Sequence, residues 1–338
     1  MAGLDVVDAV QMLFERGRAG HVHSVAKLIS LVDGDGDGCR EAVRIAQTGT
    51  RPYVVGITGA PGAGKSTLTR GLVKKLREAH DKIAILAVDP SSPVTGGALL
   101  GDRLRFQELN DDDHVFARSL ASRGRIGGLA ALVPDAVRVL GAVGFDLVVV
   151  ETVGIGQVEC DVAGLADTRV LVAAPGWGDH VQAAKAGVLE VVDVIVVNKE
   201  DLGGADRLAA DLEEMLGLRR GEPGGWRVPV VRATADKELG IDGVVAAVQA
   251  HRRWIEQSGR TGRDRGRRWF DVEDRLQHSV EEFSRRLRAS ETYRRLQAAY
   301  AEGALDSQQA VSGLLDEYRE IVLDGRGPSQ RTGGAGRK

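Results

Sequence analysis

Gly59-Ala60-Pro61-Gly62-Ala63-Gly64-Lys65-Ser66, with Thr67 behind it, decides how the rest of this chain is read. The spacing is G-x-x-x-x-G-K-S/T, the pattern of a nucleotide-binding P-loop. Both neighbours agree with it, because Tyr53–Thr58 is a β-branched, strand-like run and Leu68–Ala79 is compatible with a helix. Glycines let such a backbone turn tightly, so that its N–H groups and the N-terminus of the next helix face phosphate oxygens. In that arrangement Lys65 reaches the β- and γ-phosphates, and the hydroxyl of Ser66 becomes a ligand of Mg2+.

Outward from the loop, strand-like and helix-like segments alternate from Pro52 to about Trp254. The strand candidates are Tyr53–Thr58, Lys82–Asp89, His114–Arg118, Phe145–Glu151, Thr168–Ala174, Asp193–Asn198 and Pro229–Ala233. Continuous apolar runs such as Leu147-Val148-Val149-Val150 and Val194-Ile195-Val196-Val197 belong to strands covered on both faces. Helices between such strands predict a doubly wound α/β fold on a mostly parallel sheet, with ligands at the carboxyl ends of the strands.

Residues 1–50 read as an N-terminal helical extension, with one apolar stripe at Val6, Val7, Val10, Leu13 and Phe14 and another at Val22, Val25, Leu28 and Ile29. Asp33-Gly34-Asp35-Gly36-Asp37-Gly38 begins like a calcium loop, but Arg44 stands where a bidentate Glu is required, so a flexible acidic turn is expected. The nucleotide domain is bounded at 51–255. Beyond it the composition turns charged and helix-forming, and Val280, Phe283, Leu287, Tyr293, Leu296, Tyr300, Leu314, Leu315 and Tyr318 mark a helical arm over 256–324. That arm is too small to hold a core of its own and should pack on the nucleotide domain or on a second subunit. The remainder, 325–338, predicts a disordered tail.

Lys and Arg number 45 against 48 Asp and Glu, a net charge of −3, so no basic excess points to nucleic acid. The late arginines, Arg263 to Arg268 and Arg285, Arg286 and Arg288, read as a solvated helix face. Cys39 and Cys160 give neither a disulfide framework nor metal-ligand spacing, which predicts a reduced, cytoplasmic setting. No apolar run approaches the roughly 20 residues that span a bilayer, and acidic Asp5 and Asp8 stand in place of a basic leader, so no membrane partner is expected.

Three further constellations carry chemistry. Asn198-Lys199-Glu200-Asp201 directly follows a predicted strand, and Asp201 can accept hydrogen bonds from guanine N1–H and the exocyclic amino group. Adenine offers neither donor, so the base expected is guanine. Asn198 can bridge the base edge to the P-loop, the stem of Lys199 can lie over the ring, and Thr234-Ala235-Asp236 sits where a loop would complete the pocket. Glu151-Thr152-Val153-Gly154 occupies the place of a D-x-x-G switch: Gly154 offers an N–H to the γ-phosphate, and Glu151 faces the metal region directly or through water. Asp89 or Asp102 can join Ser66 on Mg2+. No glutamine follows Gly154 directly, Gln157 being the nearest, which predicts slow intrinsic hydrolysis. The loop Pro175-Gly176-Trp177-Gly178-Asp179-His180, with Gln182 and Lys185, is the candidate source of acceleration.

Taken together, G-I-T-G-A-P-G-A-G-K-S-T, V-D-P-S-S-P-x-T-G-G-A-L-L-G-D-R, R-G-x-x-G-G-L-A, E-T-V-G-I-G-Q-V-E and N-K-E-D resemble the MeaB/ArgK GTPases over about residues 5 to 320. These are the G-protein chaperones of adenosylcobalamin-dependent methylmalonyl-CoA mutase. The resemblance implies a SIMIBI-like P-loop NTPase fold, GTP/GDP and Mg2+ as ligands, and a homodimer held partly by the C-terminal arm. It also implies slow GTP hydrolysis stimulated by the mutase, and control over loading of adenosylcobalamin, which belongs to the partner. By the same resemblance Asp89, Asp102 and Glu151 form the acidic metal and switch set. Asp179, Gln182 and Lys185 lie in a third switch, where the usual G-D-E-L-Q-G-I-K reads with His180 for Glu and Ala183 for Gly. Methylmalonyl-, isobutyryl- and ethylmalonyl-CoA mutases share the cofactor and are all candidate partners.

Three rival readings make different demands. A nickel-delivering GTPase should carry a His or Cys cluster near the P-loop, whereas His21 and His23 form the only close histidine pair and point apart on a helix. A transport-linked kinase would need an acceptor site and would place phosphate from labelled GTP onto a protein. A nucleotide-dependent scaffold would bind GTP without turning it over.

Overall fold

The computed structural model describes residues 5–34, 36–89, 106, 109, 112–121, 132–152, 165–176, 188–218, 225–258, 280, 284 and 287–324. The chain divides into two compact units, Met1–Arg268 and Trp269–Lys338.

In the first unit seven strands form one sheet: β1 (Tyr53–Gly59), β2 (Ile83–Asp89), β3 (Val115–Ala121), β4 (Leu147–Thr152), β5 (Thr168–Ala173), β6 (Val194–Asn198) and β7 (Val230–Ala233). Their order is β3-β2-β4-β1-β5-β6-β7, and every pairing is parallel, where the sequence suggested mostly parallel. All seven expected strands are present. The third is displaced toward the carboxyl end, running to Ala121 instead of stopping at Arg118. The helices of this unit are α1 (Val6–Arg18), α2 (Val22–Val32), α3 (Asp37–Ala46), α4 (Lys65–Leu76), α5 (Leu132–Ala142), the short α6 (Val188–Val191), α7 (Ala205–Gly217) and α8 (Ile241–Ser258).

Period-two side chains explain the layers. Val55, Ile57, Val149, Val170 and Val172 share a core with Leu68 and Leu72 of α4 and Val244 and Val248 of α8. Val54, Leu86, Val148 and Val150 share another with Val137 and Leu140 of α5 and with Phe14, Leu28 and Ile29 of α1 and α2. The N-terminal helices are therefore part of one covering layer of the sheet. From β1 the chain crosses toward β2, and from β5 toward β6, so the sheet reverses its winding between β1 and β5, where such folds bind ligands.

Of the expected acidic turn, Asp33 follows α2 and Gly36, at φ +110°, precedes α3, whereas Asp37 and Gly38 belong to α3, with Arg40 bonded to Asp37 at 2.5 Å; Asp35 lies outside the described residues. Among the described residues no group of three or more His, Cys, Asp and Glu could hold a metal, and no helix is long and apolar enough to cross a membrane.

At the amino ends of the strands, a polar girdle fixes the register. Asp167 accepts from Val54 N at 2.8 Å and from Arg51, and Asp193 takes a forked pair from Arg169 at 2.8 and 3.0 Å. Buried His251 lies between Thr168 Oγ1, at 2.8 Å, and Asp193 Oδ1, at 3.3 Å, with Trp226 and Trp254 against its ring. Tyr53 shares a hydrogen bond with Thr168, and burial pushes its phenol above the usual range.

The approach to β1 runs close over α5. A Cβ added at Gly141 would lie 2.1 Å from the carbonyl oxygen of Thr50 and 2.6 Å from Pro52 Cδ, so backbone has to move to admit it. Gly141→Ala should lower stability by about 1–3 kcal/mol, the range for overpacking. A urea unfolding midpoint followed by tryptophan fluorescence checks this; an unchanged midpoint would refute the close approach.

In the second unit α9 (Glu291–Ala301) and α10 (Ser307–Asp324) pack on each other. Ser290 caps α9 by accepting from Tyr293 N at 3.1 Å, and Gly313 lets α10 close on Leu296, where a Cβ would lie 3.0 Å from Cδ1. No residue of α9 is buried, and Val311, Leu315 and Tyr318 of α10 are exposed. Phe283, the Arg263–Arg268 run and residues 325–338 lie outside the described residues.

Candidate functional site

The P-loop joins β1 to α4, and α4 begins at Lys65. Two of its glycines are required by geometry. Gly59 has φ +142°, and a Cβ there would lie 2.1 Å from the carbonyl oxygen of Val172. Gly64 has φ +92°, and a Cβ would lie 2.3 Å from Asn198 Nδ2. Ala60 and Ala63 are buried, whereas Pro61 and Gly62 are exposed at the tip. Lys65 is only 7% exposed, and its Nζ donates to the carbonyls of Gly59 at 2.7 Å and Ala60 at 2.8 Å. A buried ammonium needs such partners, and these hold it inside the curve of the loop.

Behind the loop, Glu151 is fully buried near the carboxyl end of β4. Its Oε1 accepts from Ser66 Oγ at 2.5 Å and its Oε2 from Thr69 Oγ1 at 2.9 Å. A serine hydroxyl that donates its proton to a carboxylate keeps its lone pairs for a cation. A hydroxyl and a carboxylate side by side at a phosphate loop are hard oxygen donors of the kind Mg2+ takes, so the residues fit that ion. Thr67 follows on the first turn, half-buried. Asp89 closes β2, one strand from Glu151, but its side chain lies outside the described residues, as do Asp102, Gly154, Asp179, Gln182 and Lys185.

Among the segments expected to face the base, the organising residue is Asn198 at the end of β6, 2% exposed. Its Nδ2 donates to the carbonyl of Ala63 at 2.8 Å, and its Oδ1 accepts from Ala235 N at 3.0 Å. One amide thus joins the P-loop, the N-K-E-D turn and the Thr234-Ala235-Asp236 loop, the three segments the sequence reading assigned to one pocket. Lys199 takes a left-handed φ of +60°, uncommon for a residue with a Cβ. Thr234 is buried and bonded through its backbone to Leu239, Ala235 is buried, and Asp236 is exposed. Asp201 Oδ2 accepts from Lys237 Nζ at 2.7 Å, and that ammonium holds the Asp201 carboxyl below its usual range.

Two site residues escaped the sequence reading. Thr69 stands three positions after Ser66, the spacing at which helix residues share a face, and that signal was available. Lys237 belongs to no motif, and only the folding of its loop against the N-K-E-D turn brings it to Asp201.

Comparison with known proteins gives the family. The model of the family described as methylmalonyl Co-A mutase-associated GTPase MeaB matches residues 25–291. A putative GTPase of Pyrococcus abyssi is 46% identical over 262 residues, covering 77% of this chain and 81% of that protein. A putative GTPase of Caulobacter vibrioides is 33% identical over 321 residues, covering 91% and 98%, and GTPase ArgK of Escherichia coli is 37% identical over 209 residues, covering 61% and 63%. Among solved structures, a LAO/AO transport system kinase matches with a TM-score of 0.65 at 26% identity, covering 92% of this chain and 97% of that one. The matched span takes in the P-loop, Glu151, Asn198 and the sheet that brings them together, and the chain belongs to the MeaB family of GTPases.

Proposed function

We propose that this GTPase is a nucleotide-driven chaperone of an adenosylcobalamin-dependent acyl-CoA mutase, with methylmalonyl-CoA mutase the first candidate, acting in the cytoplasm as a homodimer joined partly by the C-terminal arm. The observation that carries the reading is the family match, which runs through the whole sheet into the second unit. In this reading residues 59–67 enclose the β- and γ-phosphates of GTP, with Lys65 bearing on their oxygens, and Asn198, Lys199, Asp201, Thr234, Ala235 and Asp236 hold the guanine. Ser66, Glu151, Asp89 and Asp102 hold Mg2+, which when bound offsets negative charge on the phosphate oxygens. Gly154 senses the γ-phosphate through its N–H. Asp179, Gln182 and Lys185 couple the site to the mutase.

The physical content is linkage. GTP can gate loading of the partner's cofactor only if the mutase binds the GTP and GDP forms with different affinity, and reciprocity then obliges the mutase to change nucleotide affinity, commonly by about 5–150-fold in coupled systems. The test is GTP turnover by the purified protein, alone and with methylmalonyl-CoA mutase, using Lys65→Ala as the blank. A slow basal rate that rises several-fold with the mutase is expected. Tight GTP binding without stimulation by methylmalonyl-, isobutyryl- or ethylmalonyl-CoA mutase would overturn the proposal in favour of a scaffold.

A further inference from the structure

Glu151 has one methylene more than the aspartate usual at the head of D-x-x-G, and a longer side chain has one more torsion to fix. The two hydroxyls that meet it come from one face of α4: Ser66 takes Oε1 at 2.5 Å and Thr69, a turn later, takes Oε2 at 2.9 Å. Thr69 and Glu151 are both completely buried. A single hydroxyl on one oxygen would leave the carboxylate able to rotate about its terminal torsion, whereas donors on both oxygens define its plane.

We propose that Thr69 is a positioning residue of the GTPase site. By holding Oε2 it fixes the plane of the Glu151 carboxylate, so that Oε1 takes the proton of Ser66 and the Ser66 lone pairs are presented to a divalent cation. Its effect is exerted through Glu151, and the inference rests on the assignment of Ser66 and Glu151 to the cation site made above.

The test uses the full-length protein and a fluorescent GDP analogue, titrated with Mg2+ in excess and again in EDTA. The quantity read is the ratio of the two dissociation constants. Thr69→Val removes the hydroxyl at nearly constant shape and should shrink that ratio about tenfold, as loss of a hydrogen bond to a charged group implies. Affinity in EDTA should move by less than about twofold, because phosphate and base contacts remain. Thr69→Ser keeps the hydroxyl and should restore the ratio. Thr69→Ala is titrated in the same way should the valine variant fail to fold. A second reading comes from Glu151→Asp, too short to meet both hydroxyls: it should shrink the ratio by a similar factor, and adding Thr69→Ala to it should change nothing more. A wild-type ratio in folded Thr69→Val, equal weakening in both conditions, or full additivity with Glu151→Asp would each overturn the proposal and leave Thr69 a packing residue. A parent protein whose GDP affinity ignores Mg2+ would instead overturn the cation-site assignment, and this inference with it.

Discussion

Asp201→Asn should bind GTP at least about a hundredfold more weakly than the parent chain and should prefer XTP, since sites built around a specific hydrogen-bond pair reject ligands lacking it by large factors. The carboxylate can accept from both N1–H and the exocyclic amino group of guanine, while an asparagine amide presents one acceptor and one donor. Against guanine that donor meets another donor, and both are left without an acceptor, which is costly. Against xanthine the same donor finds a carbonyl. Asp201 lies three residues past the end of β6, so the substitution changes base chemistry and weakens the pair with Lys237 Nζ, while the bonds of Asn198 to Ala63 and Ala235 remain. Competition titration of GTP, XTP and ATP against a fluorescent guanine nucleotide measures it. Retention of the parent's GTP preference would show that another residue reads the base.

Asn198→Ala should damage both fold and binding. It deprives the Ala63 carbonyl and the Ala235 N–H of a buried partner, at about 1–3 kcal/mol for each group left unsatisfied, so stability should fall by about 2–6 kcal/mol. It also unties the P-loop from the loop at Ala235, so the stabilisation that GDP confers should shrink, following the dependence of stability on ligand affinity. Thermal unfolding with and without GDP reads both effects. A variant with the parent's melting temperature and the parent's GDP shift would show that the junction is dispensable.

Much of this was legible beforehand, for physical reasons that differ between elements. β4 and β6 were readable because burial on both faces writes an unbroken apolar run, and the P-loop because its glycines answer local backbone geometry. The expected strand His114–Arg118 stops three residues before the end of β3 at Ala121. In the fold the Arg118 guanidinium leaves the strand and reaches Ser30 Oγ on α2 at 2.8 Å, and the strand continues. The i, i+3 spacing put Thr69 on the face of Ser66, but the pairing of Lys237 with Asp201 and the enclosure of His251 between Thr168 and Asp193 depend on segments far apart in the chain. No local pattern encodes such meetings, because they follow from how the crossovers stack. The segments carrying Gly154, Asp179, Gln182 and Lys185 stand as proposals that the turnover experiment addresses.

The placement of β1 also sets the timetable of assembly. Tyr53 pairs with Leu147, and Val55 with Thr168, so one edge of the central strand waits for the fourth strand and the other for the fifth. With synthesis at about 5–20 residues per second, β1 waits for several seconds or longer after it is made. During that wait Val54, Val55 and Ile57 are apolar surface on an unpaired strand, the condition under which nascent chains associate wrongly. The arrangement that puts the phosphate loop at the middle of the sheet therefore also makes the newborn polypeptide dependent on being kept apart from its neighbours until β4 and β5 arrive.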